Sequence, residues 1–127
     1  MRKKRNDKEH LEQAAFFEWV NLHKHFYHPL RGFFAVPNGG SRNIVTAVKL
    51  KKEGVVRGVA DVLNLYSSKN CKHTAIAIEF KIKGNCQSPH QKAWQEIAED
   101  AGVCYVVCYS CQEAICETKK YFGIYNL

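Results

Sequence analysis

The alternation of apolar and polar positions divides the chain into eight segments. Over residues 9–28, Leu11, Ala15, Trp19 and Leu22 recur at helical spacing and predict a helix with one apolar stripe, closed by Pro29 and Gly32. Phe33 to Val36 is a short apolar run with the length of a strand, and Pro37-Asn38-Gly39-Gly40 follows it as a turn. Ser41 is placed to cap a second helix over roughly 42–53, which stops at Gly54. The glycine-rich stretch from Gly54 to Ala60 then leads into a strand over 61–66.

The strongest strand signal lies at 74–82. Ile76, Ile78, Phe80 and Ile82 point one way, while Ala75, Ala77, Glu79 and Lys81 point the other. Ser88-Pro89-His90-Gln91 has a Ser cap, Pro at the first helical position and Gln at the third, so it opens a helix with Trp94, Ile97, Ala98 and Ala101 as its buried face. Val103 to Tyr109 is a near-continuous apolar run, read as a buried strand. Ser110-Cys111-Gln112-Glu113 has the form of a capping box for a last helix through about Tyr121. The order α-β-α-β-β-α-β-α predicts an α/β fold, a mixed sheet of about four strands flanked by helices. Residues 1–8 read as a basic flexible N-terminus and 9–127 as a single domain.

Charge sharpens this picture. Residues 1–60 hold 12 Lys+Arg against 5 Asp+Glu, and residues 61–127 hold 7 against 7, so the whole surplus of +7 lies in the first half. That asymmetry suits a face turned to a polyanion, or a basic surface that aids solubility. The basic opening Met1 to Arg5 has no apolar stretch behind it, so it is no signal peptide. No apolar run approaches the roughly 20 residues of a membrane helix. A cytoplasmic protein with six reduced thiols is therefore expected.

Glu79 and Lys81 lie two apart on one strand, so their side chains share a side. For a lone pair of this kind the bland account is an exposed cross-strand pair, which contributes about 0–1 kcal/mol. Asp61 gives it company. If 61–66 and 74–82 pair as a hairpin about a turn near Lys69–Asn70, Asp61 and Glu79 each lie about nine residues from that turn. Two carboxylates with a backbone carbonyl make a partial oxygen shell for Mg²⁺. A divalent ion suits phosphodiester hydrolysis because it neutralises phosphate charge and acidifies a water. A lysine nearby could orient or deprotonate that water or stabilise the transition state.

With these residues in view, the chain resembles the VRR-NUC domain of the PD-(D/E)xK, restriction-endonuclease-like nucleases. The resemblance is carried by Gly58-Val59-Ala60-Asp61, Ile78-Glu79-Phe80-Lys81 and Ser88-Pro89-His90-Gln91-Lys92-Ala93-Trp94. Glu9 with Gln13, Pro37-Asn38-Gly39-Gly40 and Gly102 to Val107 add to it, and it spans roughly residues 9–122. It implies a restriction-endonuclease-like core and a Mg²⁺ site, open to Mn²⁺, on Asp61, Glu79 and the Phe80 carbonyl, with Glu9 reaching the metal directly or through water. It implies Lys81 as the catalytic lysine and Gln91 beside the site. It further implies a compact standalone type, phage or bacterial, acting on DNA in the host cytoplasm, whose dimeric members cut branched DNA such as four-way (Holliday) junctions. The Pro usual before the metal aspartate is Ala60 here, which touches local rigidity and not the chemistry.

Around this centre, Gln91 could complete the Ser88 cap or serve the site, and Glu12 competes with Glu9 on the first helix. Asn38, Arg42, Lys49, Lys51, Lys52 and Arg57 are candidate phosphate contacts, which position DNA without reading sequence; each alone could be ordinary wet surface. Cys108-Tyr109-Ser110-Cys111 invites a zinc reading, but no second C-x-x-C accompanies it, and thiols packed in the core are expected. His23, His25 and His28 suit the end of the first helix and receive no metal role. Trp19, Phe26 and Tyr27 are dimer-surface candidates by apolar excess. The favoured function is a Mg²⁺-dependent structure-selective endodeoxyribonuclease. The alternative is a non-catalytic nucleic-acid-binding module on the same fold, which would not need Asp61, Glu79 and Lys81 together.

Overall fold

A computed structural model describes residues 7–37 and 43–127. Among the described residues four helices and four strands follow in the expected order: α1 (Asp7–His23), β1 (Phe33–Ala35), α2 (Ile44–Lys52), β2 (Val62–Asn64), β3 (Ala75–Phe80), α3 (Pro89–Asp100), β4 (Val103–Cys108) and α4 (Cys111–Phe122). A short 3₁₀ turn at His28–Gly32 joins α1 to β1. The strands form one mixed sheet in the order β1-β2-β3-β4. The pairs β1–β2 and β2–β3 are antiparallel, and β3–β4 is parallel. A parallel pair needs a crossover, and α3 supplies it. Among the described residues, no helix is long and apolar enough to cross a membrane.

Each face of the sheet is covered differently. On one, Phe16 and Val20 of α1 and Ala114, Tyr121 and Phe122 of α4 close over Phe33, Val62, Ile76, Ile78 and Phe80. On the other, Ala98 and Trp94 of α3 pack on Ala60, Ala77 and Tyr105. Ala77 is what lets α3 lie close, because a larger side chain would hold the helix off the sheet. All six residues of β3 are buried, so the polar side of this strand faces protein and not solvent.

Several local expectations are corrected. α1 starts two residues earlier than expected and ends at His23, well short of Pro29, which instead sits at the start of the 3₁₀ turn. Its buried face is Phe16 and Val20, while Leu11 and Leu22 are 63% and 71% exposed. α2 is capped not by Ser41 but by Asn43, whose Oδ1 accepts from the Thr46 N–H at 2.7 Å; Ser41 itself lies outside the described residues. β2 and β3 are shorter than expected, and Lys81 lies just beyond β3. Ile97 on α3 and Ala101 just after it are exposed. β4 is an edge strand with mixed burial, since nothing pairs with its far side among the described residues. At α4, the Ser110 hydroxyl accepts from the Glu113 N–H at 3.1 Å, but the Glu113 carboxylate reaches back to the Tyr109 N–H at 3.3 Å, so the box is not reciprocal.

A candidate acidic centre at the end of β3

The antiparallel pair β2–β3 has Val62 opposite Ile78, Leu63 opposite Ala77 and Asn64 opposite Ile76. Continued by one step, this register sets Asp61 opposite Glu79. Directly opposed residues share a face, so the two carboxylates lie on the α3 side of the sheet. Tyr105, on that same face, feels both: its phenol is held protonated well above its ordinary range, first by burial and then by the charge of Glu79, with a smaller contribution from Asp61.

Glu79 is 2% exposed and Asp61 8%. A buried carboxylate is costly unless hydrogen bonds and charge compensate it. Asp61 Oδ2 accepts from the Phe80 backbone N–H at 2.8 Å, which ties its side chain across to β3. Glu79 Oε2 accepts from Gln91 Nε2 at 3.0 Å and lies 3.9 Å from Lys81 Nζ. Lys81 is fixed through its backbone, whose N–H donates to the Cys108 carbonyl at 2.9 Å and so extends the β3–β4 ladder by one step. Its side chain retains 14% exposure, so the ammonium is drawn in beside Glu79 without being sealed from solvent.

Gln91 makes the cap contacts and a contact to Glu79 at once. Its backbone N–H donates to Ser88 Oγ at 3.2 Å, and its Oε1 accepts from the Ser88 N–H at 2.8 Å, a complete capping box. The other end of the same amide holds Glu79. Gly58 fixes where this turn sits. A Cβ built on Gly58 would lie 2.3 Å from the His90 carbonyl oxygen and 2.8 Å from the Gln91 nitrogen, and its φ is +86°. Only glycine combines that backbone angle with that approach. Sequence reading placed Gly58 in a flexible lead-in and missed this contact; the signal was a glycine three residues ahead of the metal-ligand candidate.

Asp61, Glu79, Lys81 and Gln91 therefore come together. Glu9 is half-buried on the inward side of α1. Its competitor Glu12 is engaged elsewhere, accepting from the Cys111 N–H at 2.6 Å at the start of α4. Among the described residues no group of three His, Cys, Asp or Glu side chains is gathered to hold a metal, and the side-chain oxygens brought together here are those of one carboxylate pair. Lys49, Lys51, Lys52 and Arg57 are exposed on α2 and the loop after it; Asn38 and Arg42 lie outside the described residues. All six thiols are free. Cys108 is buried, with Cys104 and Cys111 packed on the same core, whereas Cys71, Cys86 and Cys116 are exposed, so for Cys116 the expectation of a core thiol fails. Of the dimer-surface candidates, Trp19 packs on the core, Phe26 is exposed, and the Tyr27 hydroxyl donates to Asn126 Oδ1.

No protein-family model matches the sequence, and no curated protein does. Among solved structures, one described as a VRR_NUC domain protein superposes with a TM-score of 0.76 at 21% identity, covering 94% of this chain and 92% of that one. The chain thus has the VRR-NUC fold.

Proposed function

We propose that this chain is a metal-dependent endodeoxyribonuclease that hydrolyses phosphodiester bonds in structured DNA, with branched DNA such as four-way junctions as its preferred substrate and a homodimer as its acting form. The observation that carries the enzymatic reading is the meeting of two opposed, buried carboxylates with one lysine at the end of β3. The VRR-NUC fold supports it.

The donor set suits Mg²⁺, with Mn²⁺ able to substitute: both side chains are hard carboxylates, and this metal favours a few protein oxygens plus several waters. Asp61 and Glu79 would hold the ion, with the Phe80 carbonyl and Glu9 as further oxygen donors. When bound, the metal supplies charge neutralisation at the scissile phosphate and a more acidic water. Everything else falls to the chain. Lys81, an ammonium beside Glu79, orients the attacking water or balances the charge that grows on the phosphoryl oxygens. Gln91 fixes the rotamer of Glu79 so that its carboxylate need not reorganise during the reaction. Lys49, Lys52 and Arg57, together with Asn38 and Arg42, contact phosphates of the DNA backbone.

The test is nicking of a labelled DNA panel with Mg²⁺ or Mn²⁺: linear duplex, flap, splayed arm and four-way junction. Wild type should cut the junction best, and Lys81→Ala should lose about 10²–10⁴-fold. Binding without cutting of any member would defeat the enzymatic reading. Wild-type rates in Lys81→Ala would defeat the mechanism alone.

A further inference from the structure

α2 is unusual for an amphipathic segment: none of its residues is buried. Ile44, Val45 and Val48 stand exposed on it, as do Val55 and Val56 just beyond and Ile97 on α3. Between α2 and α3 runs an open groove of about 840 Å³, with Val48, Val55, Val56 and Ile97 along its apolar walls and Lys51, Arg57 and His90 as its polar groups. Among the described residues no carboxylate lines it. Among the described residues, Lys49, Lys51, Lys52 and Arg57 form no ion pair.

The groove adjoins the acidic centre. His90 in its wall directly precedes Gln91, which holds Glu79. Arg57 directly precedes Gly58, which packs on that same turn. The groove and the acidic centre are thus joined through one turn, the start of α3 with Gly58 packed on it.

Resting on the nuclease reading, we propose that this groove takes unpaired nucleotides of the DNA substrate beside the scissile phosphate. Apolar walls contact base faces, and Lys51 and Arg57 take the flanking phosphates. A cationic rim over an apolar floor is the chemistry of single-strand binding. A closed duplex keeps its bases stacked inside and cannot use such walls. A second copy of the chain fits less well, because a twofold contact would bring together two copies of the same lining, with Lys51 and Arg57 on both sides and no carboxylate to meet them. The groove thus makes the enzyme favour branched DNA, a four-way junction included, where bases come unpaired at the branch point, over closed duplex.

The experiment measures fluorescence anisotropy in EDTA with a blunt duplex and a splayed-arm duplex of the same sequence, for wild type, Val48→Ser/Val56→Ser and Ile97→Ser. All three positions are exposed, and matched melting temperatures show that the core is intact. The preference for the splayed arm over the blunt duplex should fall about tenfold in the double variant and in the same direction in Ile97→Ser. Equal loss on both DNAs, or no loss on either, overturns the proposal. So does sedimentation showing a wild-type dimer that the double variant splits, since the groove would then be an interface between copies. Cutting by wild type with Mn²⁺ on the same DNAs is scored separately, so a failed nuclease reading and a failed groove give different patterns.

Discussion

The Gln91 side chain joins the Glu79 carboxylate to the first turn of α3: its Nε2 donates to Glu79 at 3.0 Å while its Oε1 is held by the Ser88 N–H at 2.8 Å. The helix start and the acidic centre thereby share one amide. Gln91→Ala leaves the bond from its own backbone N–H to Ser88 Oγ but strips a donor from the buried Glu79 carboxylate, so denaturant unfolding should fall by about 1–2 kcal/mol while cleavage falls about tenfold. Ser88→Ala should cost about 1 kcal/mol of stability and also slow cleavage. If Gln91→Ala lowers stability and leaves kcat/KM at the wild-type level, the amide is only a cap.

Two opposed carboxylates at 2% and 8% exposure repel each other, and the single Lys81 ammonium, 3.9 Å from Glu79, balances only one of the two charges. Wild type should therefore melt at a higher temperature in Mn²⁺ than in EDTA, by an increment of about 2.7 kcal/mol at a hundredfold excess over Kd. Asp61→Asn should abolish that increment. Differential scanning calorimetry without DNA reads it directly, and an unchanged increment in Asp61→Asn would place the metal elsewhere.

Gly54 and Gly58 separate backbone strain from close packing. Both have positive φ, +96° and +86°, but a Cβ at Gly54 meets nothing within 4 Å, whereas one at Gly58 meets the α3 backbone. Gly54→Ala should cost about 1–2 kcal/mol from its dihedral alone. Gly58→Ala should cost about 1–3 kcal/mol more, and cleavage should fall with it because Gln91 shifts. Equal losses in urea unfolding would mean that α3 yields without cost.

Burial pushes the Cys108 thiol up to about 12, with the nearby Glu117 and Glu113 charges adding to it. A group raised in the folded state stabilises fully below its unfolded value, about 8.5 for a thiol, and loses that contribution as pH rises toward its folded value. Tyr121, raised to about 12 chiefly by burial, acts in the same direction at the top of this window. Stability should therefore decline above about pH 8.5. In a thiol assay on folded protein, Cys71, Cys86 and Cys116 should react quickly and Cys108 only on unfolding.

The hairpin was legible because its geometry is counted along the chain. Asp61 and Glu79 lie nine residues either side of Asn70, and the observed register has that same centre. The capping signal at Ser88 was equally local, and it placed α3 within a residue. The buried face of α1 was not legible. Leu11, Phe16, Phe17, Val20 and Leu22 surround the helix with apolar side chains, so periodicity could not choose among them; contacts with Phe33 and Phe80, far away in sequence, decide for Phe16. Gly58 and the exposed α2 groove stayed hidden for a related reason, since what meets a residue, or fails to, belongs to the assembled molecule.

The symmetry of the β2–β3 register also sets what length changes the chain can absorb. The connection between the two strands, residues 65–74, has an exposed tip at Lys69–Lys72. Residues added at that tip would lengthen both arms' distance from the centre alike and leave Asp61 facing Glu79. A single residue inserted between Val62 and Asn64, or between Ala75 and Ile78, would turn one carboxylate to the opposite face of the sheet, among the phenylalanines. The tip is therefore the natural splice point for grafting a tag or a second domain onto this scaffold, and the strands themselves tolerate no change of reading phase.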